Sequence, residues 1–302
     1  MVDELLLGDN SFIGVSHLAQ DKAREEAKEA GLENKISVIE SAIAGGATGF
    51  TFSTHESNLA LLQYLHASRK DLLRQMQYYI LVPHVQSYVR KANTAGTTSL
   101  LKQELRNALP RASFLRDTII SGLHLKPENF VAAFLEAELA PYLKILPKEN
   151  VTAILLHEVI TELVMAFDLP NLVTRLDGSL KKRGLSLGFE TRNFSCLCEY
   201  VSRRDLRPEY LMTPFNPLGY QMARSKEAVE EAVDYLGKTA KIIAINILAS
   251  GAIDITQAVE YIGQFKDTIY AVTSSSTKPS RICRNFQTLG LGLVNGWSSR
   301  AK

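Results

Sequence analysis

The chain has 302 residues, 46% of them hydrophobic and 22% charged, with 18 Gly and 10 Pro, a composition that excludes disordered, collagenous and coiled-coil proteins. Lys plus Arg number 34 against 32 Asp plus Glu, a formal net charge of +2, so no charge excess points to a nucleic-acid or anionic-membrane partner. The three cysteines, Cys196, Cys198 and Cys283, are too few for a disulfide scaffold and lack the paired spacing of a structural zinc site.

The opening MVDELLLGDNSF is acidic where a secretory signal needs a basic region. No apolar run approaches the roughly 18 residues of a membrane span, so a soluble cytoplasmic protein is expected. Along the chain, β-type runs recur at Leu5–Leu7, Gly49–Phe52, Tyr78–Val82, Val151–Leu156, Leu185–Phe189, Tyr210–Thr213, Lys241–Ile247 and Thr268–Val272. Several are continuously apolar, as strands covered on both faces must be. Helical patterns fill the intervals. In SKEAVEEAVDYLGK, Ser225 caps a helix that turns Ala228, Val229, Ala232, Val233 and Leu236 to one face, and ITQAVEYIGQF repeats the device.

Eight strand-then-helix units predict an α/β fold, a single (β/α)8 barrel over 1–302, rather than a doubly wound sheet. GDNSFIG is not the GxGxxG turn that the doubly wound alternative carries. The unit after Tyr78–Val82 is oversized, and its surplus, about 93–126, is expected as a helical insertion over or beside the barrel mouth, serving as a lid or as a homo-oligomer contact.

In such a barrel, chemistry is expected from residues just past each strand. In order these are Asp9 and Asn10 with His17 beyond; Ser53, Thr54, His55 and Glu56; His84 and Gln86; His157 and Glu158; Glu190, Arg192 and Asn193; Asn216; Asn246 and Ser250; and Ser274 to Ser276. His55, His84 and His157 on successive strands suggest one mouth, where imidazole can move a proton or bind a metal. Because strand side chains alternate, His157 and Glu158 share the mouth only if the strand has ended before them. Two chemistries use this set. His55, His84, His157 and Glu190 could together hold a divalent cation for a lyase, isomerase or hydrolase, or a single histidine could serve as general acid to a carbonyl. A barrel without catalysis is a third reading, in which these groups do not converge. No lysine ends the fourth or sixth strand, which argues against a Schiff-base aldolase, and Cys196 and Cys198 lie in a helix pattern as small buried hydrophobes.

The segment AVTSSSTKPSRICRNFQTLG offers hydroxyls, a helix N-terminus and Arg281 and Arg284 to an anion. It resembles the cofactor-phosphate segment of the aldo/keto reductase family. The resemblance implies Ser276 for the phosphate, Arg281 beside the adenosine 2′-phosphate and Asn285 at the adenine. Ser275 stands where the family has Lys and Arg284 where it has Glu, a departure that weakens or redirects NADP binding.

Elsewhere LLLGDNSFIG is similar to the family's first strand, and TAILLHEV to its fourth, which ends in the active-site His, here His157. The fifth-strand region implies Glu190, with Arg192 or Asn193, near the nicotinamide carboxamide. ILASGAI implies Ser250 and Gly251 at the pyrophosphate. The rest of the family's catalytic tetrad departs from its pattern: Ser53 replaces the Asp, Asn58 the Tyr, and Pro83 or His84 the Lys. The resemblance therefore implies an NADP-linked oxidoreductase of a small carbonyl or sugar-like substrate with a non-standard site. Its proton donor would be His157 or His84, at a mouth lined by His55, Glu56, His84, His157 and Glu190, with the nicotinamide near Glu190, Asn193 and Asn216. Small molecules are the expected partners, with neither nucleic acid nor membrane.

Overall fold

Eight parallel strands close on themselves in chain order in the computed structural model, which describes residues 1–13, 31–84 and 127–294. They are β1 (Glu4–Gly8), β2 (Gly49–Ser53), β3 (Gln77–Val82), β4 (Val151–Leu156), β5 (Ser186–Glu190), β6 (Tyr210–Pro214), β7 (Lys241–Ile245) and β8 (Ile269–Ser274). Closure comes from β8 lying parallel to β1, with Leu6 opposite Thr273 and Leu7 opposite Ser274. Each predicted run holds a strand, shifted by a residue or two at its ends; β7 stops at Ile245 rather than Ile247. The expected insertion at 93–126, like His17 and Gln86, lies outside the described residues.

The two faces of each strand explain the near-continuous apolar runs. Outward side chains such as Leu5, Phe50, Phe52, Tyr78, Ile80, Leu187 and Val272 join the helices in one core, while Leu6, Tyr79, Leu155, Met212, Ile243 and Ala271 fill the barrel interior. The helix Lys226–Leu236 starts as its sequence predicts, with Ser225 Oγ accepting from Ala228 N at 3.2 Å, and it buries Val229, Ala232, Val233 and Leu236. Asp254 and Gln257 form a reciprocal capping box at the start of Ile255–Gly263.

At the N-terminal end a cation sits over the rings of the interior. Lys241 Nζ donates to Glu209 Oε1 and to the Tyr210 hydroxyl, both at 3.0 Å, and lies 4.8 Å and 5.2 Å from the ring centres of Tyr210 and Tyr270. None of the described helices is long and apolar enough to cross a membrane.

Candidate active site

At the opposite, C-terminal end of the strands lies a cavity of about 590 Å³. Its wall includes His84, His157, Glu158, Glu190 and Arg192 on one side, and Ser250, Gly251, Ser275, Ser276, Arg281 and Asn285 on the other. β4 ends at Leu156, so His157 and Glu158 both reach the cavity, and the alternation that would have separated them no longer applies.

His157 is oriented by its own helix. It stands as N-cap of Glu158–Ala166, where its Nδ1 accepts from Val159 N at 3.3 Å. That bond leaves the ring proton on Nε2, which lies 4.0 Å from Glu190 Oε2. Glu190 Oε2 also accepts from Glu158 N at 3.1 Å. Burial pushes the Glu158 carboxyl up, and Arg192, with Nε 3.2 Å away, opposes that rise.

His55 is spent in the same way but outside the cavity lining. Its Nδ1 accepts from Ser57 N at 3.1 Å as N-cap of Glu56–Ser68, and its ring meets that of His84 edge-on, 4.6 Å between centres. Glu56, the first residue of that helix, is exposed. The four-ligand metal centre expected from His55, His84, His157 and Glu190 is therefore not formed. Among the described residues no group of three His, Cys, Asp or Glu side chains stands close enough to hold a metal ion. Helix capping claims one nitrogen each of His55 and His157 and turns the two rings to different neighbours.

The nicotinamide contacts expected from Asn193 and Asn216 are absent from the cavity lining. Asn193 Nδ2 donates to Glu162 at 3.5 Å. Asn216, fully buried, donates to the carbonyls of Tyr220 at 2.9 Å and Asn246 at 3.3 Å and accepts from Tyr220 N at 2.9 Å, so it holds the loop after β6. Arg284 is exposed on the far side of the helix Pro279–Leu293 and also misses the lining. Cys196 and Cys198 are half-buried rather than buried.

Two residues named from the sequence only as strand-end polar groups, Asp9 and Asn246, hold parts of the site together. Asp9, 9% exposed, brings a carboxylate from β1 to the end of β2, where its Oδ2 accepts from Ser53 N and Oγ, each at 2.8 Å, and from Asn58 Nδ2 at 2.7 Å. Burial pushes this carboxyl up against the lowering pull of those donors. Asn246, at the end of β7 with φ 51°, is the second. Its Oδ1 accepts from Ser250 N at 2.9 Å and its Nδ2 donates to Gln221 at 3.1 Å, which sets the left-handed Ser250 and Gly251 against the cavity. Asp9 was visible as a strand-end acid, whereas a bond across β1 and β2 has no local pattern.

The β7 and β8 ends complete the picture. Asn285 donates to Ser274 Oγ at 3.1 Å from the first turns of Pro279–Leu293, and Ser276 Oγ accepts from Lys278 N at 3.1 Å. Arg281 is exposed and forms no ion pair among the described residues. Solved structures with this architecture include a Pseudomonas aeruginosa protein assigned to the aldo-keto reductases. It is 15% identical with a TM-score of 0.61, over 97% of this chain and 92% of that one.

The fold is that of the aldo-keto reductases. The glycerol dehydrogenase of Gluconobacter oxydans shares it at 12% identity and a TM-score of 0.52, over 97% of this chain and 86% of that one. No family sequence model matches the chain, and no curated protein matches it in sequence. Ser53 and Asn58, the positions where the resemblance expects Asp and Tyr, both bond Asp9.

Proposed function

We propose that the chain is an oxidoreductase that uses NADP(H) to interconvert a small carbonyl compound and its alcohol. The observation that carries this reading is a single cavity with an oriented imidazole, His157, on one wall and an anion-binding corner on the other. That corner is made of Ser275, Ser276, Arg281 and the N-terminus of a 15-residue helix.

The residues fit the cofactor. Arg281 has no acidic partner among the described residues, and the Ser250–Gly251 turn presents backbone to the same space. When bound, the nicotinamide supplies the hydride. The chain's own part is to hold the substrate oxygen and manage its proton. His157, its Nδ1 held by Val159 N, donates a hydrogen bond from Nε2 to the carbonyl oxygen, Glu190 stands 4.0 Å from that same nitrogen, and water at the mouth supplies the proton that completes the alcohol. Arg192, tied to Glu158, keeps that wall from carrying two free carboxylates.

The test is a titration of NADPH and NADH against the protein's intrinsic fluorescence. Saturable NADPH binding is expected, weakened about tenfold by Arg281→Ala through loss of one charge-assisted contact, with NADH binding changed less. Absence of saturation at millimolar cofactor overturns the reading.

A further inference from the structure

His157 and Glu190 stand side by side past the ends of β4 and β5, and they differ in what the protein leaves unused. His157 spends Nδ1 on Val159 N and offers Nε2 to the cavity. Glu190 Oε2 accepts from Glu158 N at 3.1 Å, the first residue of the helix Glu158–Ala166, while among the described residues no donor reaches Oε1. The Glu190 side chain lines the cavity and is 15% exposed, so a ligand can reach it.

Charge sharpens the contrast. Among the described residues that line the cavity, Asp9, Glu158 and Glu190 bring three carboxyl groups, and Arg192 and Arg281 bring two guanidinium groups. Arg281 forms part of the anion corner on the far wall, and Arg192 Nε lies 3.2 Å from Glu158. Glu190 meets no Lys or Arg among the described residues, its one titratable partner being the His157 ring 4.0 Å away. A largely buried carboxylate without a cation is costly, and a ligand cation removes that cost. A substrate carboxylate would fare worse, because the guanidinium on this wall is already tied to Glu158 and Glu190 repels it. A neutral carbonyl compound engages His157 and leaves Glu190 without a counter-charge.

The spacing of the two anchors sets the ligand's shape. His157 Nε2 is 4.0 Å from Glu190 Oε2, and hydrogen bonds of about 2.8 Å drawn from both into one cavity converge. The oxygen and the cation they hold therefore belong on neighbouring carbons. We infer that Glu190 selects a cationic substrate, an α-aminocarbonyl compound or its vicinal amino alcohol, with the oxygen on His157 Nε2 and the ammonium on Glu190 Oε1. The inference rests on the cavity being the substrate site of the proposed oxidoreductase and narrows its substrate class. In the reductive direction the aminocarbonyl accepts a hydride from NADPH at its carbonyl carbon and a proton from water at its oxygen, leaving the amino alcohol, NADP+ and hydroxide.

Ligand-observed NMR titrations on the full chain at neutral pH, with and without saturating NADPH, test it; an alcohol paired with the reduced cofactor does not turn over. The ligand is 1-amino-2-propanol. Its comparisons are 1,2-propanediol and lactate, which keep the skeleton but carry no charge or a negative one, and trans-4-aminocyclohexanol, which keeps the charge but holds it far from the oxygen. The amino alcohol is expected to saturate in the presence of NADPH and to bind at least about tenfold more tightly than any comparison, the worth of one charge-assisted hydrogen bond. Glu190→Gln removes the charge and keeps the shape. It is expected to weaken the amino alcohol about tenfold and to leave NADPH affinity within about twofold, while Glu260→Gln, at an exposed acid of the helix Ile255–Gly263, changes neither.

Circular dichroism checks the fold of each variant, and the ligand comparison on the unaltered chain decides the matter even where Glu190→Gln does not fold. NADPH binding with no preference for the amino alcohol overturns the cation subsite and leaves the cofactor reading standing. Amino alcohol binding that depends on Glu190, in a chain that never binds NADPH, overturns the cofactor reading and leaves the subsite. Tighter binding of lactate, amino alcohol binding indifferent to Glu190→Gln, or an equal loss in Glu260→Gln overturns the subsite. Release of the amino alcohol on adding NADPH does so too, because it hands Glu190 to the cofactor.

Discussion

Glu138 gives the sharpest quantitative expectation. It lies on the helix Pro127–Ile145 and meets the Thr54 side chain at the end of β2. Burial pushes its carboxyl from the ordinary 4.5 up to about 7. The folded protein therefore keeps a proton that the unfolded chain releases in this range. The stability Glu138 contributes is complete below pH 4.5 and drains away as pH rises through 7. At 1.36 kcal/mol per pH unit the loss is about 3 kcal/mol once pH exceeds 8. Glu138→Gln removes the titration and keeps the shape. Urea unfolding of both proteins, followed by circular dichroism at several values between pH 4.5 and 8.5, cancels every other titrating group in the difference. The gap in unfolding free energy should move in favour of the Gln protein by about 3 kcal/mol across that range. Parallel pH profiles for the two proteins would refute the account of Glu138 as a carboxyl neutralised by burial.

Other expectations concern the scaffold beneath the site. A Cβ at Gly188 would lie 2.4 Å from Leu155 Cδ2 and 2.5 Å from the Tyr210 carbonyl oxygen, so Gly188→Ala must part β5 from its neighbours. The urea midpoint should fall by an amount equivalent to about 3 kcal/mol. Asn216→Ala deletes three side-chain bonds in a fully buried setting, a loss of about 2 to 4 kcal/mol in unfolding free energy. Because Asn216 also anchors Asn246, which sets the Ser250 turn, NADPH should bind this variant more weakly in the fluorescence titration; unchanged affinity would show that the turn stands without it.

Strands were legible because a barrel strand buried on both faces must be apolar throughout, and runs such as Tyr78–Val82 and Val151–Leu156 have few other uses. The position of the mouth followed from strand direction alone. Finer placement did not, because helix capping competes for the same residues. His55 stands two residues past β2 and His157 one past β4, each immediately before a helix, so the backbone claims a ring nitrogen of both. A histidine cap has no familiar sequence signature, unlike Ser225 or the Asp254–Gln257 pair. Asn193 and Asn216 sit at correct strand ends yet face Glu162 and the Tyr220 turn, long-range choices that spacing does not encode. Asp9 shows the reverse: an acid just past β1 bonds Ser53 at the end of β2, which becomes visible only when β1 and β2 are side by side.

The packed barrel interior has a kinetic meaning. With Leu6, Tyr79, Leu155, Met212, Ile243 and Ala271 filling the space beneath the cavity, the site is a vessel without a back door. Two ligands that share the upper cavity must pass through the same face, so the deeper guest enters first and leaves last. Its escape rate is then governed by its neighbour's, and inhibition by product becomes a readout of depth.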